Sequence, residues 1–455
     1  MVYRIAIWRG FLLVAVVVLA WQNLSAGLGG YYAIIAGGDV TAIDRALAWQ
    51  PEHPRALSIK GSTLLESDPE TAVALLTRAY RANVTSPTPL IALANQFGKE
   101  GHWEQSDNLI DLIAHLAPAD PNVQMKIASH WALRERPDRM LQYWSIALTI
   151  DPTRQSILFP ALLGVADNPQ LRPLFVPYTQ SPPTWWSGFF RHVCADPAKL
   201  KTARALFDLR RRYGDRPIQP EERAAYVAAL LRAGMTPDAY LVWVGGLDDR
   251  ARRRLGLLFD GGFELPLGKD SFGWQLSENS HFSATAVATP GATGLGLRLR
   301  FRAFEGAFNH LSQTLFLHPG SYRLTGRVRP DGLVSKGGLR WQVNCLRPEQ
   351  KALGTGPSVM GSSEWDSFEL SFAVPAGCLP QELRLVAAGQ RAFERRFSGS
   401  LWFDDLKIER VMEPEASEQA GGGEVQPAQS GRVRSAYPTN DVPSRRRARK
   451  PPGLK

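Results

Sequence analysis

The side chains best suited to chemistry in this 455-residue sequence are two carboxylates, a series of arginines at alternate positions, and three cysteines. Glu264 and Asp404 could in principle serve as a glycosidase pair, a reaction in which one carboxyl protonates the leaving oxygen while the other attacks or activates water. Nothing else completes a catalytic constellation: there is no GxSxG elbow, HExxH, Walker loop or dinucleotide-binding glycine pattern, and the eight histidines are scattered. The chain therefore reads as non-catalytic. The arginines offer a different chemistry. Arg298, Arg300 and Arg302, then Arg323, Arg327 and Arg329, then Arg340 with Gln342 and Asn344 occupy the outward parity of alternating segments. Guanidinium groups bind carboxylates through paired hydrogen bonds, so such a face would suit an acidic glycan; the same pattern also describes the wet side of a sheet. Cys345 and Cys378 could pair in an oxidising compartment or stay as separate buried thiols, and together with Cys194 they form no CxxC knuckle.

Two kinds of element must position these residues. Apolar residues alternate at period two in Leu295, Leu297, Leu299 and Phe301, in Tyr322, Leu324 and Val328, and in Leu339, Trp341, Val343 and Cys345. The pattern recurs in Phe368, Leu370, Phe372 and Val374 and in Leu383, Leu385 and Ala387, which predicts many short strands in two packed sheets. Before a composition break near Leu257 the period is helical. Pro118 and Pro152 stand 34 residues apart. Leu93, Ala94 and Phe97, a turn at Gly101, then Trp103, Ser106, Ile110 and Ile113 form one unit, and Ile127, Ala128, Trp131, Met140, Trp144 and Ala147 repeat it. Trp131 and Trp144 are expected in the core. The cluster Trp185, Trp186, Phe189 and Phe190 follows two helix-breaking prolines and is expected to pack internally rather than to face a partner.

The N-terminus sets the compartment. Arg4 and Arg9 precede the apolar run GFLLVAVVVLAW, and no charge follows until Asp39. This predicts an export segment, retained as a membrane anchor in preference to cleavage near Ser25, Ala26 and Gly27, with the arginines held on the cytoplasmic side. The formal net charge of +10 alone would suit nucleic acid, a membrane or an acidic polymer. An exported chain excludes the first. The tail after Val411, rich in Gly, Pro, Ser, Glu and Arg and ending in SRRRARK, is expected to be disordered.

With the 34-residue period and its small and large positions, the helical half resembles the tetratricopeptide-repeat family, which implies a scaffold that binds protein partners. The β half opens with DGGFELP at residues 260–266, has Trp274 soon after, continues through LSQTLFLHPGSYRLTGRVR at 311–329 and closes with GSLWFDDLKIE at 399–409. That order resembles the galactose-binding-type jelly roll of carbohydrate-binding modules. The resemblance implies a structural calcium ion held by Glu264 and Asp404, with Asp405 as the alternative. It departs from the family where aromatic rings would stack on sugar, since Trp341 has inward parity, Trp274 should plug the core and Trp365 sits at a strand's start. The expected protein has an α-helical tetratricopeptide-like solenoid followed by an all-β jelly-roll sandwich. Its segments are a cytoplasmic stub and anchor at 1–38, repeats at 39–256, the sandwich at 257–411 and the tail at 412–455. As an expectation it is a single-pass protein of the bacterial inner membrane, its bulk in the periplasm, scaffolding polysaccharide synthesis or export. A protein-only adaptor without glycan binding is the alternative.

Overall fold

A computed structural model describes residues 2–411 apart from 36, 38, 269, 278–279, 289–293 and 348–350. The tail at 412–455 lies outside the described residues. The helices are α1 (Val2–Ile35), α2 (Val40–Trp49), α3 (Pro54–Leu64), α4 (Pro69–Ala82), α5 (Thr88–Lys99), α6 (Trp103–Leu116), α7 (Pro121–Leu133) and α8 (Pro137–Ile150). They continue as α9 (Gln155–Asp167), α10 (Val176–Gln180), α11 (Trp186–Ala195), α12 (Leu200–Tyr213), α13 (Pro220–Arg232), α14 (Thr236–Val244) and α15 (Asp249–Arg252).

Local chemistry explains the breaks. Asp39, Asp68 and Asp120 cap α2, α4 and α7 by accepting from backbone N–H groups of the first turn, and proline occupies the first turn of α3, α4, α7, α8 and α13, where no N–H is required. Gly101 turns the chain between α5 and α6 with φ 81°, a conformation that favours glycine. Alanines at 72, 79, 94, 128 and 147 are fully buried, which lets paired helices approach, and a Cβ on Gly61 would come within 2.7 Å of Leu76 Cγ on α4. Trp131 is buried and Trp144 packs partly buried against the same core. Trp185, Trp186, Phe189 and Phe190 are all buried, packed with Phe175, Phe207 and Tyr226. Beneath them Glu222 accepts from Trp186 Nε1 (3.2 Å) and faces Arg210 at 3.5 Å, both side chains 1% exposed.

Two antiparallel five-stranded sheets follow, built from β1 (Gln275–Leu276), β2 (Phe282–Ala288), β3 (Leu295–Glu305), β4 (Leu311–Leu315), β5 (Gly320–Val334), β6 (Leu339–Cys345), β7 (Lys351–Thr355), β8 (Asp366–Val374), β9 (Gln381–Ala387) and β10 (Arg396–Arg410). The front sheet has the order β1-β4-β9-β6-β7 and the back sheet β2-β3-β10-β5-β8. Between them lie the inward-parity residues, among them Leu297, Leu299, Leu324, Trp341, Val343, Leu385 and Phe403, with Trp274 in the same core. The architecture is thus a helical solenoid followed by a β-sandwich. The composition break near Leu257 falls between α15 and β1, yet the residues there are not a free linker. Phe259 and Phe272 pack on Trp243 (ring centroids 5.0 and 5.5 Å), and Phe316, just beyond β4, stacks on Tyr240 at 5.1 Å. Arg347, beyond β6, donates to the Arg232 carbonyl at the end of α13 (2.7 Å).

Candidate binding faces of the sandwich

The two sheets divide the arginines that share one parity. Arg298, Arg300 and Arg302 on β3 and Arg323, Arg327 and Arg329 on β5 belong to the back sheet, whereas Arg340, Gln342 and Asn344 on β6 belong to the front sheet. Since outward side chains of packed sheets point in opposite directions, Arg298, Arg300, Arg323 and Arg327 cannot join Arg340, Gln342 and Asn344 on one ligand surface. This corrects the single arginine platform expected from sequence: alternation gives a residue's side of its own sheet but not which sheet it joins.

On the back sheet Arg298, Arg323 and Arg327 are engaged by neighbours. Arg323 pairs with Glu369 at 3.0 Å and Arg327 with Asp405 at 3.7 Å, the latter arginine also lying over the Trp365 ring at 5.1 Å. Strand register sets Trp402 between Arg298 and Arg329, and the Arg298 guanidinium covers the Trp402 ring at 5.4 Å. This is the chemistry of a solvated charged face holding itself together.

The front sheet is different. Register aligns Gln275, Ser312, Arg384, Gln342 and Thr355 in a row across all five strands, with Thr314, Glu382 and Asn344 in the row beside it. Their sequence neighbours Leu311, Leu385, Trp341, Leu383 and Val343 fill the core, so these rows point outward. They are nevertheless recessed: Ser312 is 9% and Glu382 8% exposed, and Arg340, Gln342, Asn344 and Arg384 are half-buried. Arg384 donates to Glu382 Oε1 (2.7 Å) and Gln342 Nε2 to Asn344 Oδ1 (2.6 Å), which fixes the polar atoms in place. The Nε groups of Arg340 and Arg384 are buried donors without a hydrogen-bond partner, as is that of Arg298 on the back sheet. A buried N–H left unpaired costs about 1–3 kcal/mol, so a ligand acceptor reaching them recovers that amount. Arg384, Glu382, Ser312 and Thr314 were not singled out from sequence. Arg384 and Glu382 sit at outward parity inside QELRLVA, and that alternation was the available signal; Ser312 and Thr314 lie in a short strand without one.

Glu264 and Asp404 do meet. Both line the turn at Gly262, where a Cβ would lie 3.8 Å from Glu264 Cγ and 3.9 Å from Asp404 Oδ1. Asp404 is 3% exposed and accepts from the Asp405 N–H (2.8 Å). Burial, with the negative charges of Asp405 and Glu264 adding, pushes its carboxyl up to about 6 against the opposing Asp405 N–H and Arg327. Glu264 accepts from the Leu295 N–H at 3.2 Å, and Arg254 stands 3.9 Å away. Asp260, unforeseen from sequence, is buried beside them, shapes the turn by accepting from the Glu264 and Leu265 N–H groups (3.1 and 2.9 Å), and is raised by burial. Crowded, under-compensated carboxylate oxygens fit a hard cation in donor chemistry. Among the described residues no three His, Cys, Asp or Glu side chains converge as a metal site, so backbone carbonyls would have to supply the remaining ligands.

Cys345 and Cys378 are joined in a disulfide with their Cα atoms 5.5 Å apart. Cys194 is a buried free thiol, pushed up to about 12 by burial. In the solenoid, a cavity of about 410 Å³ lies between α3 and the turn from α4 to α5, lined by Pro54, Arg55, Ser58, Asn83, Ser86 and Thr88 among others.

No protein-family model and no curated protein matches the sequence. Among solved structures, the chain is similar to a Pseudomonas aeruginosa protein, pilF, at 13% identity over 50% of this chain and 90% of that one, TM-score 0.27. It is similar to the carbohydrate-binding module TmCBM61, solved in complex with β-1,4-galactotriose, at 18% identity over 34% of this chain and 99% of that one, TM-score 0.24. A third similarity is to the enzymatically active domain of bacteriophage CBA120 tailspike protein 4, at 14% identity over 35% of this chain, TM-score 0.26; the chain spans 21% of that domain's length.

Proposed function

We propose that this protein is a non-catalytic scaffold of the bacterial cell envelope, anchored by α1 in the inner membrane with its bulk in the periplasm. The solenoid engages protein partners, and the front sheet binds an acidic polysaccharide during its synthesis or export. One observation carries the glycan reading: the unpartnered Nε donors of Arg340 and Arg384 lie on one recessed sheet face, Arg384 within a row of prearranged polar side chains and Arg340 opposite Val386, two residues from Gln342. Uronate carboxylates are suitable acceptors for them, while Gln342, Asn344 and Glu382 offer the mixed donors and acceptors that hydroxyls require. The disulfide suits an oxidising compartment. Glu264 and Asp404 hold a structural calcium ion in this reading and take no part in catalysis, since Asp404 is too deeply covered to meet a sugar.

Titration of the detergent-solubilised protein with acidic and neutral polysaccharides tests this. Acidic chains should bind, with affinity that falls as salt rises from low to physiological ionic strength. Equal affinity for neutral glucans would reject the acidic-glycan reading, and no binding to any polysaccharide would favour a protein-only adaptor.

A further inference from the structure

We propose that the periplasmic face of the bilayer meets this protein at Trp21 and Trp49, and that the remainder of α1 is the first helix of the solenoid, seated directly on the lipid headgroups. This rests on the membrane reading above but not on the glycan. The helix α1 is continuous from Val2 to Ile35, and residues 10–35 satisfy the length and composition of a membrane span. Its environment changes along its length. Phe11, Leu12, Leu13 and Val14 are all exposed, as are Val16, Val17, Val18 and Leu19. Four consecutive residues cover every side of a helix, so no protein packs there and the partner is lipid.

Beyond Trp21 the helix acquires a protein neighbour. Leu28, Gly29, Tyr32 and Ala33 turn toward α2, Ala33 being 1% exposed in a small core with Ala42, Ile43, Ala46 and Ala56. A Cβ on Gly29 would approach Gln50 Cβ at 2.9 Å, so glycine permits the contact. Because α2 folds back along α1, its end reaches the level of Trp21, and the Trp21 and Trp49 rings stand 5.9 Å apart. Exposed Asp44 and Arg45 on α2, with Asp44 paired to Lys60 at 2.8 Å, exclude that helix from hydrocarbon. The stretch of α1 alongside it is excluded too. What remains, from Arg4 to Trp21, is about 26 Å long at ~1.5 Å per residue, close to a hydrocarbon core of roughly 30 Å. Paired tryptophans at its outer end match the preference of indole for the interface. Cleavage near Ala26 would remove the start of this hairpin, so the anchor is retained.

Single cysteines introduced into the full chain test the boundary in permeabilised cells with a membrane-impermeant maleimide, since Cys194 is buried and the other two cysteines are bonded. Ala26→Cys and Ala48→Cys should label and Val17→Cys should not, in membrane-bound protein whose intact mass includes residues 1–26. Protection of Ala26→Cys and Ala48→Cys, labelling of Val17→Cys, or a mature chain starting after Ala26 would each overturn the proposal. Full-length protein in the soluble fraction would instead overturn the membrane reading on which it depends.

Discussion

Asp404 shows what a single residue contributes when its charge lacks compensation. Its carboxyl titrates near 6 in the folded chain, above the ordinary 3.8, so the folded state holds the proton more tightly than the unfolded state does. The contribution of Asp404 to stability should therefore be full below about pH 4 and be lost as pH rises through 6, by about 1.4 kcal/mol for each pH unit that separates its folded and unfolded titrations. In chelator at pH 7.5, Asp404→Asn should raise the melting temperature and flatten that pH dependence. Calcium should raise the melting temperature of the wild type and leave the variant unmoved; an unmoved wild type removes calcium from the account. This carboxylate was legible in the sequence through the closing GSLWFDDLKIE segment. Asp260 was not, because a carboxylate that caps a turn through backbone N–H groups leaves no periodic signal.

At the level of elements, helices and strands were legible because each has a period that burial enforces. Alternation in LRWQVNC places Leu339, Trp341, Val343 and Cys345 inward, as the structure has them. Spacing alone could not assign β3 and β5 to one sheet and β6 to the other, since that depends on the order in which distant strands hydrogen bond. The joint between halves was equally hidden: Phe259, Phe272 and Phe316 look like ordinary apolar residues, and only the fold brings them to Tyr240 and Trp243 on α14. Phe272→Ala should cost about 3–5 kcal/mol, the usual loss for a buried phenylalanine. It should also separate the unfolding of the solenoid from that of the sandwich in calorimetry. A single unchanged transition would mean that Phe272 does not carry the coupling. Within the solenoid, Glu222→Ala leaves Arg210 buried without its acid and should cost roughly 3–5 kcal/mol, read by chemical denaturation, whereas a surface pair such as Arg78 with Glu52 should cost under about 1 kcal/mol.

Across the whole molecule, the joint fixes the front sheet relative to the last helical hairpin, while at the other end of the solenoid α2 packs on the apolar helix α1. A glycan on the front sheet would thus be held in register with proteins bound along the repeats. The central claim is that the front sheet, and not the more arginine-rich back sheet, binds the acidic chain. Affinity for an acidic polysaccharide should be compared between Arg340→Gln with Arg384→Gln on the front and Arg300→Gln with Arg302→Gln on the back, each confirmed folded by its melting curve. Two charge-assisted hydrogen bonds at about 1.5–3 kcal/mol each predict a loss of about a hundredfold or more for the front pair, against less than about threefold for the back pair. Undiminished binding in the front pair, or a larger loss in the back pair, would contradict the account.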